Sequence, residues 1–228
     1  MSSKITKELE SCDQTGDWFY PEWAVNAKYN KPFYVRDTDS ALGRYNIQTK
    51  AISLKDLALL HGHLCDGLVI AYVAIRTVFN RLFPDGVVDR TDLRVVSKNG
   101  PCWIDAAALM TGARINFKSL RVDASMGEGF ILQKCSTGVA YRVRLKAAVF
   151  PEDQAELENE IRAARRAGKP VSAVKIDRIE AMHDALSLKM LTTDPDQLFD
   201  IEQLENYTFN FNDLYGERGD VINKDMPR

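Results

Sequence analysis

Residues 61–83 read HGHLCDGLVIAYVAIRTVFNRLF. From Gly67 onward apolar side chains fall on nearly every face of a helical wheel. That places the helix through the middle of a domain rather than on its surface, and Pro84-Asp85-Gly86 ends it. Just ahead of it, His61, His63 and Cys65 occupy every second position, in a chain that has only 3 histidines and 4 cysteines. A turn with incidental polar side chains is the structural explanation; the clustering asks for a chemical one.

Upstream, ISLKDL offers Ser53 as an N-cap with Asp56 three residues on, an acidic variant of the capping box, and Ile52 with Leu57 as its hydrophobic staple. A short helix runs toward Leu60 and Gly62 interrupts it. HGHLC therefore lies in the connection between two helices, with Cys65 and Asp66 at the mouth of the buried one. If the connection is extended, His61, His63 and Cys65 point to one side; if the first helix continues, His61 and Cys65 share a face at i, i+4. Free N–H groups and the positive end of the helix dipole favour the thiolate of Cys65. Imidazole nitrogen and thiolate sulfur are the donors that zinc accepts, and to a lesser degree nickel, copper or iron.

DLRVVSKNGPCWIDAAALMTG repeats the plan: an apolar strand from Leu93 to Val96, a polar loop holding Lys98, Asn99, Gly100 and Pro101, then Cys102 opening a helix that Gly112 closes. Asp105, one turn in, either orients a histidine or serves as a favourable early-helix acid.

The 228 residues, 45% hydrophobic, suffice for a buried core without cross-links. Lys+Arg 30 against Asp+Glu 32 gives a net charge of −2, which argues against nucleic acid and anionic membrane as partners. No secretory leader and no run of eighteen apolar residues are present, so a cytoplasmic location is expected. There Cys12, Cys65, Cys102 and Cys135 are expected to be reduced, available as thiolates or ligands. Taken singly, each also fits a buried inert thiol.

Residues 1–50 mix aromatics, including Trp18 and Trp23, with turn formers, and are expected to form an irregular arm that packs on the main body or on a partner. After Gly112, RINFKSLRVD alternates as a strand, and FILQKCSTGVAYRVRLKAAVF as a hairpin turning at Ser136-Thr137-Gly138, with Cys135 a strand residue beside the turn. EDQAELENEIRAARRA, from Glu152 to Ala167, is a charged surface helix whose Arg162, Arg165 and Arg166 form a solvated face. IDRIEAMHDALSLKML is a further helix in which His183 serves packing or the surface. In the tail, 206–228, NYTFNF offers one more strand.

ISLKDLALLHGHLCDGLVIAYVA followed by CWIDAAALMTG resembles the formylmethanofuran dehydrogenase FmdE-like family, marked by an H-G-H-x-C-P-G-like segment before a long helix and then a Cys-x-x-Asp-Ala stretch ending in T-G. LKMLTTDPDQLFDIEQL is similar to the way the family core closes. The resemblance spans about residues 52–205 and implies an α+β core domain over 51–205, a mixed or antiparallel sheet flanked by helices. It implies a homodimer and a metal site, commonly zinc, with His61, His63, Cys65 and Cys102 as ligands and Asp105 nearby. Asp66 stands where the family has proline, ARINFKSL replaces a glycine-rich stretch, SMGEG replaces a Y-G-K-like turn, and no cysteine follows Cys135 to build the zinc module some members carry. Nothing here is suited to the molybdenum or tungsten centre of that dehydrogenase.

The expected function is metal binding with no reaction assigned, since ligand spacing supports binding directly and catalysis only by extension; two classes of function are compatible with it. One is a zinc-dependent hydrolase in which three of the four ligands hold the metal and Asp66, Asp105 or Glu128 shuttles protons. The other is an accessory or carrier protein that hands a metal, tetrapyrrole or sulfur intermediate to a partner. A small molecule or metallocofactor is the expected ligand. A thiol-redox role for Cys65 and Cys102 is third and requires the sulfurs to lie within disulfide reach.

Overall fold

A computed structural model describes residues 17, 19–42, 44–211 and 224. In chain order the elements are α1 (Glu22–Val25), β1 (Phe33–Thr38), β2 (Tyr45–Ile52), α2 (Leu54–His61), α3 (Asp66–Leu82), β3 (Val87–Asp89), β4 (Leu93–Ser97) and α4 (Pro101–Thr111). They continue with β5 (Leu120–Val122), β6 (Gly129–Lys134), β7 (Ala140–Leu145), α5 (Glu152–Arg166), α6 (Ala173–Thr192), α7 (Pro195–Leu198) and β8 (Phe199–Leu204). The architecture is α+β.

The main sheet has the order β5-β4-β6-β7-β8; β4 and β5 run parallel and the other neighbours antiparallel. A smaller sheet, β2-β1-β3, is also mixed. Period-two alternation divides the main sheet's side chains. Leu93, Val95, Phe130, Leu132, Val143 and Phe199 join the large core with α3 and α4.

The all-round apolar sequence of α3 has the expected consequence. Leu68, Val69, Ala71, Tyr72, Ile75 and Val78 are fully buried, and the helix packs against α4, α6 and strands β6 and β7. Each such large side chain contributes about 1.5–3 kcal/mol on burial, so α3 is the axis on which the other elements are placed. The phenol of Tyr72 is satisfied: it donates to the carbonyl of Lys31 at 2.6 Å. With Tyr29 N–H on Leu191 O at 2.8 Å, this ties the N-terminal segment to α3 and α6. That segment, expected to be irregular, supplies α1 and the paired strands β1 and β2; Trp18 and Cys12 lie outside the described residues.

Two strand expectations are corrected. In RINFKSLRVD only Leu120–Val122 pairs; Phe117 N–H and Lys118 N–H close turns onto Arg114 and Ile115, and Lys118 takes φ 54°, so the alternation there serves a coiled loop. NYTFNF is not a strand. Asn206, at φ 51°, turns the chain out of β8, and Tyr207 and Phe209 then cover Val96, Ile131 and Ala140 on the sheet's outer face. No described helix is long and apolar enough to cross a membrane.

Phe130 is fully buried with its ring 5.1 Å from that of Trp103, the residue after Cys102. Phe130→Ala is expected to lose about 3–5 kcal/mol, read as a fall in the urea midpoint with an unchanged m-value.

Candidate metal centre

The N-terminus of α2 is held by the capping box that the sequence announces: Asp56 N–H donates to Ser53 Oγ at 3.3 Å and Ser53 N–H to Asp56 Oδ2 at 2.7 Å. At its other end Gly62, at φ 97°, donates to the carbonyl of Ala58 and turns the chain, a left-handed conformation that glycine adopts without strain. His61 is thereby the last helical residue, and Cys65 follows in extended conformation as the N-cap of α3. In α4, Pro101 takes the first position and Cys102 the second.

The two helix starts meet at Gly67. A Cβ there would lie 3.2 Å from Cys102 Sγ and 3.5 Å from Cys102 Cβ, so the bare Cα is what seats α4's cysteine against the mouth of α3. The glycine that closes the HGHLCDG motif has a steric role.

Three donors converge as a result. Cys65 Sγ lies 3.4 Å from Cys102 Sγ, and His61 Nε2 lies 3.9 Å from Cys65 Sγ and 3.5 Å from Cys102 Sγ. A point equidistant from all three is about 2.1 Å from each, close to zinc's 2.0–2.3 Å bonds. His61 Nδ1 is 2.8 Å from Asp105 Oδ2. A carboxylate only accepts, so Nδ1 carries the hydrogen of that bond and Nε2 faces the sulfurs. His63 is exposed; its ring centroid is 4.8 Å from that of His61, and the donor atoms of His61, His63 and Cys65 lie within 4.8 Å of one another. It stands at the rim of the triangle.

Electrostatics separates the two thiols. Hydrogen bonding with Cys65, and then the nearby His61, hold Cys102 below the ordinary thiol range, while the same bond and burial push Cys65 up. Of the two thiols, Cys102 is therefore the readier to give up its proton. Burial lowers the pKa of His63, with a smaller contribution from His61.

Cys102 also lines a cleft of about 490 Å³. Apolar walls come from Ile70, Trp103, Phe150 and Ile179, and polar ones from Asp66, Lys98, Glu128, Glu158, Arg162 and His183. Glu128 sits on this wall in an ion pair with Lys98, whose ammonium lies 5.1 Å from the Trp103 ring centroid. Asp105, committed to His61, is not among the lining residues.

Asp66 is buried and accepts from Gln154 Nε2 at 2.6 Å. Desolvation raises its pKa, opposed first by His183. His183 Nε2 is 3.2 Å from Glu158 Oε1, and Glu158 also pairs with Arg162. The donor atoms of Asp66, Glu158 and His183 lie within 4.8 Å of one another. Sequence pattern alone misses His183, Glu158 and Gln154, because it marks one helix as a packing element and the other as a solvated face. The available signal is that Gln154 and Glu158 are spaced i, i+4, on one face of α5.

Gly67→Ala is expected to press on Cys102 Sγ and weaken zinc binding about tenfold, measured by competition with a chelator. Unfolding free energy should stay within about 1 kcal/mol of the parent, the scale of the glycine-to-alanine helix propensity difference. Unchanged affinity would show that the contact does not set the donor geometry.

The Glu158–His183 pair also has a pH signature. Hydrogen bonding to Glu158 raises the pKa of His183 from 6.5, and the His183 bond lowers that of Glu158 from 4.5. The stabilisation from His183 is complete below 6.5 and is lost as pH rises through its elevated value. That from Glu158 is complete above 4.5 and is lost as pH falls through its depressed one. Glu158→Gln is expected to move the His183 titration down in NMR and flatten stability against pH above 6.5.

The chain matches the family model described as FmdE, Molybdenum formylmethanofuran dehydrogenase operon, over residues 60–200. No curated relative matches it. The matched span begins immediately before His61 and carries Cys65, Gly67, Cys102 and Asp105, the helices that bring them together and the sheet beneath; the chain belongs to the FmdE family.

Proposed function

We propose that the protein binds one divalent transition-metal ion, zinc, through His61, Cys65 and Cys102, with His63 available at the rim and Asp105 orienting His61. The observation that carries this reading is the donor triangle, with sides of 3.4, 3.5 and 3.9 Å. Around tetrahedral zinc, two thiolates stand about 3.8 Å apart and a thiolate and an imidazole nitrogen about 3.6 Å. The hydrogen bond from His61 Nδ1 to a carboxylate is the usual support of a histidine ligand.

The cleft beside Cys102 favours a small molecule as the second ligand over a large surface handing cargo to another protein. Bound zinc supplies Lewis-acid polarisation of a substrate oxygen or nitrogen. The chain's own residues supply the rest. Trp103, Ile70 and Phe150 exclude water from the apolar side. Asp66, whose pKa burial raises, and His183, held by Glu158, are the groups placed to accept or donate a proton at Oδ and at the ring nitrogen.

Elemental analysis of protein purified without added metal is expected to give about one zinc per chain. Cys65→Ser and Cys102→Ser should each lose it, and Asp105→Asn should weaken affinity about 10–100-fold. Metal-free parent protein that takes up no zinc on titration would overturn the reading.

A further inference from the structure

The same two sulfurs that flank the donor triangle are placed for a different bond. At 3.4 Å they are about 1.4 Å further apart than in a disulfide. Each stands on the first residues of a helix, Cys65 as N-cap of α3 and Cys102 at the second position of α4. Closing the gap asks for side-chain rotation and a small shift of two helix ends, with no strand to break. Gly67 leaves room for it, because no Cβ separates Cys102 from the start of α3.

Access is unequal. Both thiols are partly exposed, but Cys102 lines the cleft and Cys65 does not, so a small molecule held in the cleft meets Cys102 first. This ordering, an accessible attacking thiol backed by a resolving one, is what thiol–disulfide exchange requires.

We infer that Cys65 and Cys102 are a redox-active dithiol that exchanges with low-molecular-weight disulfides such as oxidised glutathione, and that the disulfide so formed excludes the metal. Cys102 Sγ, its proton passed to His61 Nε2 3.5 Å away, attacks one sulfur of the glutathione disulfide; a mixed disulfide forms and one glutathione leaves as thiolate, taking up that proton. Cys65 then passes its proton to His61 Nε2, 3.9 Å away, and attacks the Cys102 sulfur; the Cys65–Cys102 bond forms and the second glutathione leaves as thiolate, taking up that proton. Two protein thiols are oxidised and one glutathione disulfide is reduced to two thiols. Neither protein sulfur is then a thiolate, so two of the three donors are lost at once. The exclusion step rests on the metal-binding reading; the exchange step does not.

The test treats the full chain with oxidised glutathione, first after removal of metal by a chelator and then after loading with zinc, and maps each cysteine by mass spectrometry under non-reducing conditions. In the metal-free arm the expected product is the 65–102 cross-linked peptide, short by two hydrogens, with only traces of glutathione on either residue. Cys65→Ser should stop at a glutathione adduct on Cys102. Stable mixed disulfides in the unsubstituted chain, cross-links between chains, or unreacted thiols would overturn the proposal.

In the loaded arm, zinc release followed with a chromogenic chelator should match disulfide formation mole for mole; disulfide formed with zinc retained would overturn the exclusion. A chain that takes up no zinc fails the metal reading, while the metal-free arm still decides the exchange.

Discussion

The close approach of Cys102 to the bare Cα of Gly67 sets how near the start of α4 can come to the start of α3, and the chemistry of the molecule depends on that separation. A methyl group at that point would push the sulfur of α4 away from that of α3. With glycine there, the two helix N-termini converge, and the positive ends of their dipoles act on one small volume holding two thiols and an imidazole. The force that brings them together is remote. Apolar side chains on all sides of α3 bind it to α4, α6 and the main sheet, so the positions of its first residues are decided by packing several turns away.

The cleft carries the second consequence. Asp66 follows the N-cap cysteine directly, so the register of α3 that places Cys65 also places a carboxyl group at the cleft wall. Its burial is made tolerable by Gln154, itself fully buried on α5, since an unpaired carboxylate there would lose its hydration without return. Glu158, one turn along the same helix, reaches His183 on α6. The result is a cavity with sulfur at one wall, acid–base groups at another and ion pairs, Lys98–Glu128 and Arg162–Glu158, that keep the polar rim close to electrical balance.

How much of this is legible beforehand varies with the range of the interaction. The capping box at Ser53, the stop at Gly62, the buried helix after Asp66 and the closing Gly112 are local, and each can be read because its signal and its partner lie within a few residues. RINFKSLRVD and NYTFNF show the limit. Alternation is necessary for a half-buried strand, but pairing also needs a free edge in register. In the first segment the backbone turns before β5, and in the second the main sheet has ended and the aromatics cover its outer face instead. His183 is silent in the sequence for a similar reason: a histidine in a packing helix gains meaning only from the carboxylates that two other helices bring to it.

By itself the sequence determined the residue types of the candidate site, their places at helix ends and the family, because residue spacing, caps and helix periodicity are short-range properties. Tertiary structure decided which of those residues meet. It set His61, Cys65 and Cys102 in one triangle, bound Asp105 to His61, left His63 at the rim and moved Glu128 to the cleft wall. It also supplied Glu158 and His183. The reason is physical: distances between side chains far apart in sequence are fixed by how the core packs, and no local pattern encodes them.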